Sequence, residues 1–348
     1  MDFDLDEAQR EVADLAREVL RREDDPETAW KAMARSGLLT LAVPEGLGGA
    51  GLGVPECALV LAEVGRCTAD VPALETLALG VLPVARAGTE AQRRELLGAV
   101  GDGAVLTAAL HEPSAPLPTA PRTTARRDRD GWVLTGTVVG VRSALRAHRV
   151  LVPASLGEGR VAVLPVDPAA RGVSPVPTPG SAGRPEYTVR LEGARAVAGP
   201  LGDDTTGRVL GELHRLALAG ACAVGDGVLA GALELTAAHL GSREQFGRPL
   251  ATFQAVAQQV ADVYLASRTV HLATLAACWR LDPSDVDVAA YWLAEHALPA
   301  LHTCQHLHGG IGVDESYPLH RHYAWGKDLA RFVGGVEHRL EAVACTSS

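Results

Sequence analysis

The chain has 348 residues, with 32 basic against 42 acidic side chains and a formal net charge of −10. With 47% apolar and 21% charged residues it has an ordinary globular composition, which excludes wholesale disorder and leaves room for about two or three domains. The acidic balance argues against general nucleic-acid binding, which needs a basic surface to displace counterions. No apolar run approaches the roughly 20 residues that span a bilayer, so no membrane association is expected. The polar, acidic start MDFDLDEAQR does not read as a signal peptide.

Residues 5–104 carry a helical pattern. Leu5, Ala8, Val12, Leu15, Val19 and Leu20 recur at three- and four-residue steps, with Asp6 as the N-cap. A second helix is predicted over Pro26–Arg35, ending before Gly37. The stretch LLTLAVPEGLGGAGLG then breaks regular structure through Pro44 and five glycines. Helical pattern resumes over 55–65 and 70–100. Residues 105–200 change character, with β-type runs at Thr123–Arg129, Trp132–Thr135, Arg149–Val152, Arg160–Val166 and Tyr187–Leu191. Asp130-Gly131 reads as the centre of a type I′ hairpin turn. This block is expected to be a small antiparallel barrel or sandwich. Residues 205–345 return to helix: a long Ala-rich segment over Leu210–Leu240, another marked by Phe253, Val256, Val260, Val263 and Val270, and a third over Val286–His308. Helices, then strands, then helices make an α+β order of blocks.

Six cysteines, Cys57, Cys67, Cys222, Cys278, Cys304 and Cys345, are scattered without a CxxC pair. They read as reduced, mostly buried small residues, with a cytoplasmic location expected. Three motifs could carry chemistry. In Arg243-Glu244-Gln245-Phe246-Gly247-Arg248-Pro249, an arginine where one long helix breaks can grip a diphosphate with two parallel hydrogen bonds. A plain helix–loop–helix corner with a solvated arginine fits the same residues. In Gln305-His306-Leu307-His308-Gly309-Gly310-Ile311-Gly312, a helix ends in glycines that allow a ligand close to the backbone; a simple glycine C-cap fits as well. His302, His306 and His308, with Cys304, His320 and His322, match no standard metal spacing, so no metal is expected. No carboxylate stands out as a general base.

Four stretches together resemble the acyl-CoA dehydrogenase family along nearly the whole chain: FDLDEAQREVADLAREVL, GLLTLAVPEGLGGAGLG, SREQFGRPLATFQAVAQQVADV and QHLHGGIGVDESYPLHRHYAWGKDL. The resemblance implies an N-terminal α-helical domain (1–104), a middle antiparallel β-barrel or sandwich domain (105–202) and a C-terminal four-helix bundle (203–348). It implies FAD as cofactor, an acyl-CoA substrate and, as the family usually arranges, an electron-transfer flavoprotein as acceptor. In that family each FAD straddles two subunits. Carried over, Arg243 would pair with the diphosphate, Gln245 and Phe246 would line the adenosine arm, Gln254 would bind the cofactor from the next helix, where it follows Phe253, and Gly309, Gly310 and Gly312 would present backbone to it. The family's usual Gln three residues before the first glycine is His306 here, with Gln305 beside it.

The catalytic half looks different. The family's YEG-type stretch, whose Glu removes the proton alpha to the thioester, falls on Phe332-Val333-Gly334, and valine cannot accept a proton. The alternative position on the first bundle helix, Leu213–Ala217, holds no carboxylate; Glu212 and Glu337 are the remaining candidates. The stretch that meets the flavin ring is reduced to Glu112-Pro113 after His111, and the strand over Val138–His148 lacks the family's aromatic and hydroxyl residues. The resemblance therefore points to the non-catalytic subunit of a two-plus-two heterotetramer, of the kind actinobacterial enzymes use for sterol side chains and other bulky acyl-CoA thioesters. A self-sufficient homo-oligomer with a displaced base, a scaffold that has lost flavin, and a relative with different flavin chemistry on the same fold are the other readings.

Overall fold

A computed structural model describes residues 4–23 and 25–346. Helices come first. Helix α1 (Glu7–Arg22) is capped as expected: the Asp6 carboxylate accepts from the Gln9 N–H at 2.8 Å. Helix α2 (Pro26–Arg35) starts at its proline after the Asp25 cap. The glycine-rich stretch forms turns and one 3-10 turn, and α3 (Val54–Cys67) comes next. Residues Leu74–Val81 form a π-helix, all eight buried, which runs into α4 (Leu82–Ala87). Helix α5 (Glu90–Leu97) opens with a reciprocal capping box between Thr89 and Gln92.

The β domain contributes seven strands: β1 (Val105–Ala108), β2 (Thr124–Asp128), β3 (Gly131–Arg142), β4 (Ala147–Gly157), β5 (Arg160–Val166), β6 (Val173–Pro179) and β7 (Pro185–Arg195). They make one sheet in the order β1-β4-β2-β3-β7-β6, with β5 also on β4. Pairing is antiparallel except at β4, which runs parallel to β1 and touches β2 in parallel. The β2–β3 hairpin turns one residue earlier than the Asp-Gly pair suggests. Arg129 and Asp130 are its centre, and neither has a positive φ. The Asp128 carboxylate accepts from the Asp130 N–H at 2.9 Å, which stabilises this turn instead, and Gly131 at φ 129° leads back into the sheet.

The rest is helical: α6 (Arg208–Ser242), a two-residue-per-strand hairpin β8 (Glu244–Gln245) and β9 (Arg248–Pro249), α7 (Gln254–Arg280), α8 (Pro283–His308), α9 (Leu319–Phe332) and α10 (Val336–Thr346). The architecture is α+β: helical domain, β-sheet domain, helical bundle. By composition α6 could cross a membrane, yet 83% of its most apolar window is buried inside the protein, as in a core helix.

The chain packs as two compact units. One holds residues up to 21, 58–70 and 221 onward; the other holds 22–57 and 71–220. In the first, α3 and α6 cross with backbone nearly touching backbone. A Cβ on Gly65 would lie 2.0 Å from the Val224 carbonyl oxygen, and one on Gly227 would lie 1.8 Å from that of Ala62. In the second, two ion pairs are largely buried. Arg142 Nε lies 3.2 Å from the Glu186 carboxylate, and Arg184 lies 3.7 Å from that of Glu75 on the π-helix. Buried pairs of this kind specify an arrangement more than they stabilise it.

Candidate functional site

Arg243 comes directly after α6, whose last turn stays helical up to it: its N–H donates to the His239 carbonyl at 2.8 Å. The Arg243 carbonyl then accepts from the Leu250 N–H at 2.9 Å and so closes the β8–β9 hairpin. The turn residues are Phe246 (φ 53°) and Gly247 (φ 75°), the left-handed pair that a two-residue hairpin needs. Glycine adopts this conformation freely; a bulky aromatic does not. Phe246 is also 92% exposed. It meets Phe253 edge to face, centroids 6.2 Å apart, while the Arg248 guanidinium lies 4.1 Å from the Phe253 centroid. Gln245 and Gln254 are exposed beside them. Arg243 is exposed and has no ion pair or side-chain hydrogen bond among the described residues. The hairpin and the residues that flank it thus hold a strained aromatic, the Arg243 guanidinium and two amides at the surface.

The second motif ends α8. Gly309, at φ 64° and ψ −140°, has a backbone that residues with side chains avoid. A Cβ on Gly309 or Gly310 would meet nothing within 4 Å, so this backbone faces open space. Gly312 is different: it is buried, and a Cβ there would come within 2.7 Å of the Gln305 carbonyl oxygen. It shapes the turn instead of presenting it. Gln305 Nε2 donates to the Gly312 carbonyl at 3.4 Å, and His306 is exposed. The two motifs meet through a contact that sequence reasoning does not single out. His239 on α6 stacks on His308, with ring centroids 4.4 Å apart and 19° between planes.

The other histidines have separate partners. His302 stacks on and hydrogen-bonds Tyr323, His320 Nδ1 donates to the Tyr317 carbonyl at 2.7 Å, and His322 Nε2 donates to the Arg66 carbonyl at 3.1 Å. No group of three metal-ligating side chains converges among the described residues. Burial pushes the Cys278 thiol up to about 12 and the Cys222 thiol higher still, so both stay protonated.

Burial also holds His239, His308 and His322 below the usual 6.5 of a free imidazole. The folded chain therefore binds fewer of these protons than the unfolded chain just below pH 6.5, and stability falls with pH there. We expect the thermal midpoint to be flat above about pH 7 and to drop as pH passes below 6.5. His322→Gln should flatten part of that drop in a melting series across pH.

Val333 is fully buried at the C-terminus of α9, between the buried Phe332 and Gly334 at φ 96°. Glu212 is engaged by Arg86 at 2.6 Å with 13% of its side chain exposed, and Glu337 is exposed in the first turn of α10. Glu112 is buried, and its carboxylate accepts the backbone N–H groups of Arg122 at 2.7 Å and Thr123 at 2.6 Å. That role ties down a loop.

Residues 6–104 match the family profile of the acyl-CoA dehydrogenase N-terminal domain, and residues 212–344 match that of the C-terminal domain. The chain is 44% identical to acyl-CoA dehydrogenase FadE28 of Mycobacterium tuberculosis over all of this chain and 99% of that one. The chain belongs to the acyl-CoA dehydrogenase family. Among solved structures, the ChsE4-ChsE5 complex from Mycobacterium tuberculosis superposes with TM-score 0.92 at 31% identity, over 100% of this chain and 99% of that one. A variant of the Tcur3481-Tcur3483 steroid ACAD superposes with TM-score 0.90 at 36% identity, over 97% of both chains.

FAD is the cofactor of this acyl-CoA dehydrogenase family. The open Gly309–Gly310 backbone, the uncommitted Arg243 and the exposed aromatic hairpin fit its anionic diphosphate and flat adenine. The strand expected over Val138–His148 is not one strand: β3 ends at Arg142, a turn follows and β4 starts at Ala147, with Arg142 buried against Glu186.

Proposed function

We propose that this chain is the non-catalytic subunit of a heteromeric, FAD-dependent acyl-CoA dehydrogenase, and that it holds the adenosine-diphosphate arm of a flavin whose ring sits in the partner subunit. The observation that carries this reading is Val333, fully buried where the family's proton-abstracting Glu is expected. Support also comes from the relatives: one is solved as a complex of two differently named chains, and another is described as a steroid ACAD. We assign the substrate class accordingly, as the CoA thioester of a bulky, steroid-like acyl group.

In this scheme FAD, when bound, supplies the acceptor for the hydride leaving the acyl β-carbon. Arg243 neutralises the diphosphate charge, the glycines let the arm lie against backbone, and Phe246 and Phe253 offer faces to the adenine. The proton alpha to the thioester goes to a carboxylate of the partner, because Glu212 is committed to Arg86 and Glu337 is solvated.

The test is to purify the chain alone and together with a catalytic acyl-CoA dehydrogenase homologue from the same organism. We expect stoichiometric flavin and turnover only in the co-purified complex. Full flavin content and dehydrogenation by the lone chain would overturn the reading. Val333→Glu should give no activity to the lone chain. A carboxylate buried at a fully enclosed site without a partner costs on the order of several kcal/mol or takes up a proton, so the melting midpoint should fall.

A further inference from the structure

The His239–His308 stack lies at the root of the hairpin that carries Arg243 and directly before Gly309. Its two rings are in different situations. His308 is 6% exposed: Nδ1 donates to the Cys304 carbonyl at 2.8 Å, Nε2 lies 3.2 Å from the Tyr317 hydroxyl, and the Leu235 carbonyl also hydrogen-bonds the ring. His239 is only half-buried and stands four residues before Arg243, whose N–H donates to the His239 carbonyl at 2.8 Å. The charged and titratable groups that bear on the pair are Arg243 directly after α6, His308 itself from α8 and Tyr317 from the loop before α9. No carboxylate bears on either ring among the described residues.

We propose that His239 is a second cationic group of the arm site, neutral while the site is free and protonated when the diphosphate arrives. This rests on the reading of Arg243 and Gly309–Gly310 as an arm-binding site. In the free protein, burial, the stacked His308 and the Arg243 charge all disfavour a proton on His239. An anion held by Arg243 offsets the charge that this guanidinium places on His239. The proton goes to His239 because its half-exposed ring loses less hydration on charging than the buried His308 does. Binding of the arm is then linked to uptake of one proton, and affinity weakens as pH rises.

The experiment is calorimetric titration of the full chain, alone and assembled with its partner in flavin-free form, with ADP as the probe. It is run at pH 6, 7 and 8 in buffers of different ionisation enthalpy. The expected result is proton uptake approaching one per ADP bound near pH 7 and an affinity about tenfold weaker at pH 8 than at pH 6. His239→Phe keeps a ring on His308 and cannot take a proton. It should abolish the uptake and flatten the pH dependence, whereas Arg243→Ala should weaken binding at every pH. ADP binding that depends on Arg243 but takes up no proton, or that keeps its proton uptake in His239→Phe, overturns this inference and leaves the arm site standing. Failure of ADP to bind either the chain or the complex overturns both.

Discussion

Arg243→Ala should strip FAD from the assembled complex. The side chain is exposed at the end of α6, free of any intramolecular ion pair among the described residues, and its hairpin is closed by backbone hydrogen bonds that alanine leaves intact. The substitution therefore removes a ligand contact without removing a structural one. A charge-assisted, bidentate hydrogen bond contributes about 1.5–3 kcal/mol, which corresponds to roughly 10- to 150-fold in affinity. Flavin absorbance of the gel-filtered complex, read against its protein content, checks this. Unchanged occupancy with an unchanged melting curve would remove Arg243 from the arm site. Arg243→Lys should recover only part of the loss, because an ammonium supplies the charge without the planar fork.

Gly227→Ala should destabilise the fold more than any surface change. Its Cβ would stand 1.8 Å from the Ala62 carbonyl oxygen, and the obstacle is backbone, which cannot rotate away. Overpacking typically costs about 1–3 kcal/mol, and a collision between two helix backbones belongs at or beyond the top of that range. Gly241→Ala, near the end of the same helix, is the control: a Cβ there meets nothing within 4 Å. It should stabilise by roughly 0.5–1 kcal/mol, since alanine loses less backbone entropy in a helix. Opposite shifts in denaturation midpoint for the two variants would establish that close approach, not helix propensity, fixes glycine at 227.

Much of the fold is legible in the residues. Helix α2 has the bounds read from Pro26 and Gly37, Asp6 caps α1, and β5 runs Arg160–Val166. Elements escape where a local rule misleads. Strand β6 reads VSPVPTP, and proline weakens any strand assignment, yet β6 is a sheet edge paired only with β7. There, prolines lose few hydrogen bonds. The π-helix escapes because its eight residues are all buried, so no polar face marks its period. The Asp130-Gly131 pair puts the hairpin one residue late because a side-chain hydrogen bond to Asp128 decides the turn.

At the site, the RxxFG hairpin and the Gly-Gly turn are visible through their motifs, and the structure adds how they meet. The linking residue, His239, gives no signal, because a lone histidine on a long Ala-rich helix reads as an ordinary surface or core side chain. Gly312 illustrates the reverse: it shares a motif with Gly309 and Gly310 but serves internal packing, which only the clash with Gln305 reveals.

The π-helix constrains how this chain can change length. The Leu82 N–H reaches back five residues to the Leu77 carbonyl, so the stretch carries a wider turn than an α-helix. It ends with Gly80 pressed on β1, where a Cβ would lie 2.2 Å from that of Leu106. Adding one residue, for instance after Ala78, would rotate the remainder of the segment by about 100°. The glycine would then face away from Leu106 and a larger side chain would take its place. Exposed loops such as the one around Gly183 can gain or lose residues at little cost, so descendants of this gene should vary in length there while the Leu74–Val81 stretch keeps its count.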